Sequence, residues 1–202
     1  MPNFTDLTGL AGVASATAAS MLLLPGIGKL SRPRRALLLG AVFVLMLMPF
    51  GAMPPAAYVR GMTGDLSITT LVLLCCAMLR PWCDDVALRD KRRLALLGLI
   101  ALTSIAFYPM ALGVGTYDPY QLGYGNLPFV VALLLIVLAA WLRGYALITL
   151  CIALGTLAWA VGWYESDNLW DYLIDPFAAI YALAAIMISA VRMLLKLRGR
   201  PH

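Results

Sequence analysis

Apolar runs follow one another along nearly the whole of this chain, and that succession limits the folds open to it more than any other feature. A run of about 20 apolar residues matches the hydrocarbon core of a bilayer, where every backbone amide must be satisfied within its own segment, so such runs become helices. Seven stretches qualify, near 8–25, 36–58, 66–82, 94–114, 127–142, 145–163 and 173–195. Composition agrees: 62% of residues are hydrophobic, 12% are charged and the mean hydropathy is +0.88. These values are far from those of soluble domains. The expectation is an all-α, polytopic transmembrane helical bundle of about seven spans, forming a single integral membrane domain over 1–202.

The first stretch, small and hydroxylated, has a cleaved signal peptide as its rival reading. Its leader MPNFTDLTG carries Asp6 and neither Lys nor Arg, whereas a secretory leader is positive, so the span is expected to be retained. Orientation follows from the basic residues, which cytoplasmic loops keep and translocated loops avoid. With the amino terminus outside, the cytoplasmic side holds Lys29, Arg32, Arg34 and Arg35, the Arg80–Arg93 cluster, Arg143, and the tail from Arg192 to Arg200. Arg60 alone is left outside. Dropping one span would put some clusters on the wrong side, so charge supports seven spans independently of hydropathy, with a cytoplasmic carboxyl terminus. Asp6, Asp65, Asp118, Glu165, Asp167, Asp171 and Asp175 fall outside; Asp84, Asp85 and Asp90 fall inside. The net charge of +5 is therefore a matter of topology and lipid headgroups, and no nucleic-acid partner is expected. The Ala, Leu and Arg bias points to a bacterial source and a cytoplasmic (inner) membrane location.

Local features refine this picture. RPWCDDVALRDKRR reads as a short charged loop in which Asp85 and Arg89 have helical i,i+4 spacing. Only Arg143 and Gly144 separate the fifth and sixth spans, which must form a tight helical hairpin. Gly12, Ala16 and Ser20 recur every four residues and suit close helix packing. Pro49, Pro54 and Pro55 kink the second span or end it early.

Much chemistry is missing. The sole histidine is His202, which excludes bis-histidine haem, the usual catalytic zinc sites and serine–histidine nucleophiles. The seventh span carries no interior lysine for a retinal Schiff base, Lys196 lying at its end. Cys75, Cys76, Cys83 and Cys151 are read as reduced packing residues, although a vicinal thiol pair has some affinity for soft metals. No ionisable group sits securely mid-membrane, which argues against a common proton-coupled carrier. No cofactor and no metal are expected, and enzymatic use of the outer acids on a lipid-linked substrate ranks last, because exposed carboxylates lack the raised pKa a general acid needs.

What remains is two outer loops rich in acids and aromatics, WYESDNLWDYLID and GVGTYDPYQLGYGN. They supply the candidate site residues: Tyr117, Asp118, Tyr120, Tyr124, Trp163, Glu165, Asp167, Trp170, Asp171 and Asp175, with Arg60 as a nearby cation. If 165–175 extended the last helix, Asp167, Asp171 and Asp175 would share one face and repel, calling for a divalent cation, Arg60, a cationic ligand or a neighbouring subunit's basic residues. Aromatic belts and acidic translocated loops are also the ordinary dress of a membrane interface. Two functional readings stand beside that one. In the first, the chain is a non-catalytic accessory or assembly subunit that docks a membrane-protein partner, or a further copy of itself, through this face. In the second, the face is the mouth of a transporter or facilitator for a sugar, lipid headgroup or organic cation.

Overall fold

The computed structural model describes residues 4–79 and 90–198, and among these the regular structure is entirely helical. Cys83, Asp84 and the Asp85–Arg89 pair lie outside the described residues, as does His202. Asp90 to Arg93, expected in the charged loop, instead form the first turn of a helix.

Each apolar stretch carries a helix. They are α1 (Phe4–Ser20), α2 (Arg32–Leu47) with the short α3 (Pro55–Thr63) after it, α4 (Ile68–Leu79), α5 (Asp90–Ala111), α6 (Leu127–Leu142), α7 (Ala146–Ala160), a one-turn α8 (Leu169–Leu173) and α9 (Pro176–Arg198). Within α5 and α9, Arg92–Ala111 and Pro176–Lys196 are long and apolar enough to cross a membrane; α4, α6 and α7 are apolar but shorter. At 1.5 Å per residue, the 16 residues of α6 reach about 24 Å, short of a hydrocarbon core of about 30 Å.

Local chemistry sets the boundaries. The stretch 36–58 is not one helix: α2 stops at Leu47, and Met48 is extended at ψ 131° because Pro49 disfavours helical geometry in the residue before it. Pro55 then opens α3 at its first position, where the missing amide costs nothing. Asn126 caps α6 by accepting from the Phe129 amide at 3.1 Å. The α6–α7 hairpin turns at Arg143 and Gly144, the glycine taking a φ of +73°.

The helices pack with α4 and α7 innermost. One core joins Ile68 and Val72 of α4, Leu96 and Ile100 of α5, Leu147, Cys151 and Ile152 of α7, Leu169 and Tyr172 of α8, and Ala178 and Ala182 of α9. On α1 the buried face runs through Gly12, Val13, Ala14 and Ala18. Of the expected Gly12–Ala16–Ser20 stripe, Gly12 faces Leu71 of α4 and Ala16 is half-buried, whereas Ser20 is exposed and donates to the Thr17 carbonyl. The peripheral helices bury little. α6 leaves Leu134, Leu135, Trp141 and Leu142 exposed, and α9 does the same with Ile180, Met187, Leu194 and Leu195. Exposed large apolar side chains in this number mark contact with lipid or with another protein.

Candidate functional site

The two acidic and aromatic loops meet. Residues 119–123 form a 3-10 turn opened by Asp118, whose carboxylate accepts from the Tyr120 amide at 2.9 Å. Opposite lies the turn before α8, opened by Asn168, whose side-chain oxygen accepts from the Trp170 amide at 3.0 Å. Three bonds lock the turns together. The Asn168 amide donates to the Tyr120 carbonyl at 2.9 Å, the Trp170 indole donates to the Pro119 carbonyl at 3.0 Å, and the Tyr120 hydroxyl donates to Asp171 at 2.9 Å. Gly123 is required at the contact, because a Cβ there would stand 1.7 Å from the Asn168 side-chain oxygen. Trp170 is wedged between Phe107 of α5 and Phe129 of α6, with ring centroids 4.5 and 4.7 Å away.

Beside this lock opens a cleft of about 510 Å³. Its walls include Phe107, Tyr108, Tyr120 and Trp170, and its charged lining residues are Asp65, Asp171 and Asp175. No cation lines it among the described residues. Asp171 is held by neutral donors, the hydroxyls of Tyr120 and Ser166. Asp65 is the exception, since Arg60 neutralises it from behind through two bonds of 2.6 and 3.0 Å. Arg60 also bonds Asp6 at 3.0 Å and lies 4.0 Å from Glu165. The hydrogen bond to Asp65 holds this guanidinium above the usual arginine value, burial opposing. Gly9 permits the pairing, because a Cβ there would sit 2.3 Å from the Asp65 carboxylate.

The candidates therefore divide by role. The expected helical row of Asp167, Asp171 and Asp175 does not form: α9 begins only at Pro176, and Ile174 is extended at the end of α8. Proline at the first position of α9 separates the two helices, so the three acids share no helical face, although Asp171 and Asp175 still line one cleft. Asp175 is 5% exposed and structural, one oxygen accepting from the Ala178 amide at 2.7 Å as the cap of α9, the other from the Ser67 amide at 2.8 Å where α4 begins. Asp118 is a turn cap. Asp167 contributes its backbone carbonyl to the Trp159 indole at 2.8 Å. Arg60, one of the four partners offered for those three acids, pairs instead with Asp65 and Asp6. Tyr117 and Tyr124 are exposed, Tyr124 meeting Tyr120 edge-on at 5.8 Å. Trp163 lends its carbonyl to the Thr8 hydroxyl, tying the loop to α1. Tyr120, Trp170 and Asp171 line the cleft together.

Sequence reasoning passed over Tyr164 and Tyr172. Their rings stack at 5.2 Å, both deeply buried. The Tyr172 hydroxyl shares its one proton between the Ser166 and Tyr164 carbonyls, at 2.9 and 3.1 Å, and accepts from the Tyr164 amide. The Tyr164 hydroxyl, on the inner wall of the cleft, is buried without a hydrogen-bond partner, and burial, with Asp65 adding, raises its pKa. Both tyrosines sit in a stretch whose composition already explained them as interface aromatics, so nothing local marked them.

Among the described residues no group of three or more His, Cys, Asp or Glu is placed to hold a metal ion. No protein-family model, curated protein or solved structure matches this chain. What fold and site define is a class: an all-helical protein with two membrane-length helices and an acidic, aromatic cleft at one end.

Proposed function

We propose that the chain is a non-catalytic, multi-pass subunit of the inner membrane that docks an extracytoplasmic partner by receiving a lysine or arginine side chain in the acidic cleft. The observation that carries this reading is the lining itself. Five aromatic rings and three carboxylates surround a space that no cation of this chain enters among its described residues; with Asp65 paired to Arg60 from behind and Asp175 bonded to backbone amides, Asp171, held by hydroxyls, is the acid open to an incoming cation. Aromatic faces and carboxylates together attract ammonium and guanidinium groups, most strongly where water is thinned out. The rim supports a protein partner, since Leu112 on the cleft wall is 82% exposed and the loop that follows it leaves Val114 and Tyr117 exposed as well, apolar surface of the kind that seals an anchoring side chain. Beneath the cleft, across Trp170 and Ile174, lies an apolar chamber of about 160 Å³ lined by Leu96, Ile100, Leu133 and Ile152. A charged solute finds no relay there, which favours an anchoring site over a conduit.

A second reading, a free organic cation in the same cleft, is favoured by the volume, which suits a small amine. One experiment separates the two. Carbodiimide joins carboxylates to lysine amines, so adding it outside intact cells should link the exposed Glu165 to a lysine of a stoichiometric partner. Asp171→Asn should weaken retention of that partner about tenfold or more during gentle extraction. A lone chain carrying a small amine by native mass spectrometry would favour the second reading. Partner retention indifferent to Asp171→Asn would sink the first.

A further inference from the structure

Along α9, from its second turn to its last and beside the first turns of α5, runs a groove of about 530 Å³ that the cleft reading does not use. Arg93 enters it from α5; Tyr181, Ser189, Arg192 and Lys196 enter from α9. Steps of eight, three and four residues keep those four on one helical face. The Arg93 guanidinium lies over the Tyr181 ring, 5.8 Å from its centroid, and donates to the Tyr181 hydroxyl, so one cation is pre-positioned. Arg192 and Lys196, spaced i,i+4, repel each other. No carboxylate lines the groove among the described residues, and the described ion pairs all gather around Arg60, away from the groove. Ser189, Arg192 and Lys196 thus stand within about two turns of one another near the carboxyl-terminal end of α9, while Tyr181 and the Arg93 guanidinium on it lie about 16 Å further along the groove from Arg192. Below them the lining is apolar, from Leu94, Leu97 and Met193.

We propose that this groove binds an anionic phospholipid, Arg192, Lys196 and the Ser189 hydroxyl holding the phosphate while the acyl chains run down the apolar flank of α5 and α9. Charge complementarity selects an anion, and multiple donors in fixed array select phosphate. The apolar floor and the exposed Val191, Leu194 and Leu195 nearby select a lipid over a free ion. The inference needs only that α5 and α9, the two helices of membrane length, lie in a bilayer; it does not depend on what the acidic cleft receives.

The test uses the full chain in nanodiscs of phosphatidylcholine with and without phosphatidylglycerol, the retained lipid being counted by native mass spectrometry after detergent transfer. Preferential retention of one phosphatidylglycerol is expected. The Arg192→Gln/Lys196→Gln double variant should reduce it about thirtyfold, each basic residue near a charged lipid surface being worth roughly a fivefold factor. Circular dichroism checks that the variant folds; the single Lys196→Gln, at an exposed position in the last turns of α9, is the alternative should it not. Equal retention of the two lipids, or retention unmoved by both variants, would overturn the proposal. Displacement of the lipid by equimolar inorganic phosphate would also overturn it, by showing a free-anion site.

Discussion

Tyr164 and Tyr172 are the same residue type, stacked on each other, and they are expected to answer the same substitution differently. The Tyr172 hydroxyl holds two carbonyls and an amide of its own loop, so Tyr172→Phe leaves buried polar groups unmet and should lower stability by about 1–3 kcal/mol. The Tyr164 hydroxyl meets no partner, and burying it already costs desolvation, so Tyr164→Phe should leave stability unchanged or raise it by up to about 1 kcal/mol. Thermal denaturation of the two variants in one detergent is the measurement. A large loss in Tyr164→Phe would mean that its hydroxyl is satisfied. Asp175 teaches a related lesson at this scale: an acid that composition offered as a binding group spends both oxygens on backbone amides that begin two helices.

Among the elements, the paired turns at 119–123 and 168–173 behave as one part. Their contact has no room at Gly123, where a Cβ would overlap the Asn168 side chain and come within 2.9 Å of Trp170. Gly123→Ala should therefore push the turns apart, cost about 1–3 kcal/mol as overpacking does, and expose the Trp170 indole. The red shift of tryptophan emission and its quenching by acrylamide would report this; an unchanged spectrum at unchanged stability would show that the lock is loose. Gly155 has the same office on α7, where a Cβ would stand 2.9 Å from the Leu173 side chain and 3.3 Å from the Tyr172 carbonyl. Such close approaches connect elements far apart in the chain, which is why no turn rule or periodicity announced them.

For the whole molecule, the acidic end should be the part that fails at high pH. Burial, and then the hydrogen bond to Asp171, raise the Tyr120 phenol above its ordinary value, and burial raises Tyr164 likewise. A raised phenol favours the neutral form in the folded chain. Its stabilising contribution is therefore whole below the unfolded value of about 10 and drains away as pH climbs through the folded values. Melting temperature should hold across neutral pH and fall above about pH 10. Ultraviolet titration should show late-ionising phenols, one fewer in Tyr120→Phe, and earlier ionisation of Tyr120 in Asp171→Asn. A single unshifted phenolate transition would contradict this account.

Much of this organisation was legible in the sequence, because it depends on properties a segment has by itself. Hydropathy placed a helix in every apolar stretch, proline chemistry foretold the break after α2, and Arg143–Gly144 foretold the hairpin. The two loops that build the cleft were singled out by composition alone. Which of their residues line it, and which merely cap a helix, was decided by tertiary structure. Asp171 meets the cleft with hydroxyl partners only, whereas Asp175, also on its wall, spends both oxygens on backbone amides because the helix restarts at Pro176, and Arg60 is claimed by Asp65 and Asp6 because Gly9 lets α1 come close. A chain can state how oily or charged each of its segments is, since those preferences are local. Which carboxylate meets which donor depends on residues more than fifty positions apart arriving within 3 Å, and only the packed helices bring them there.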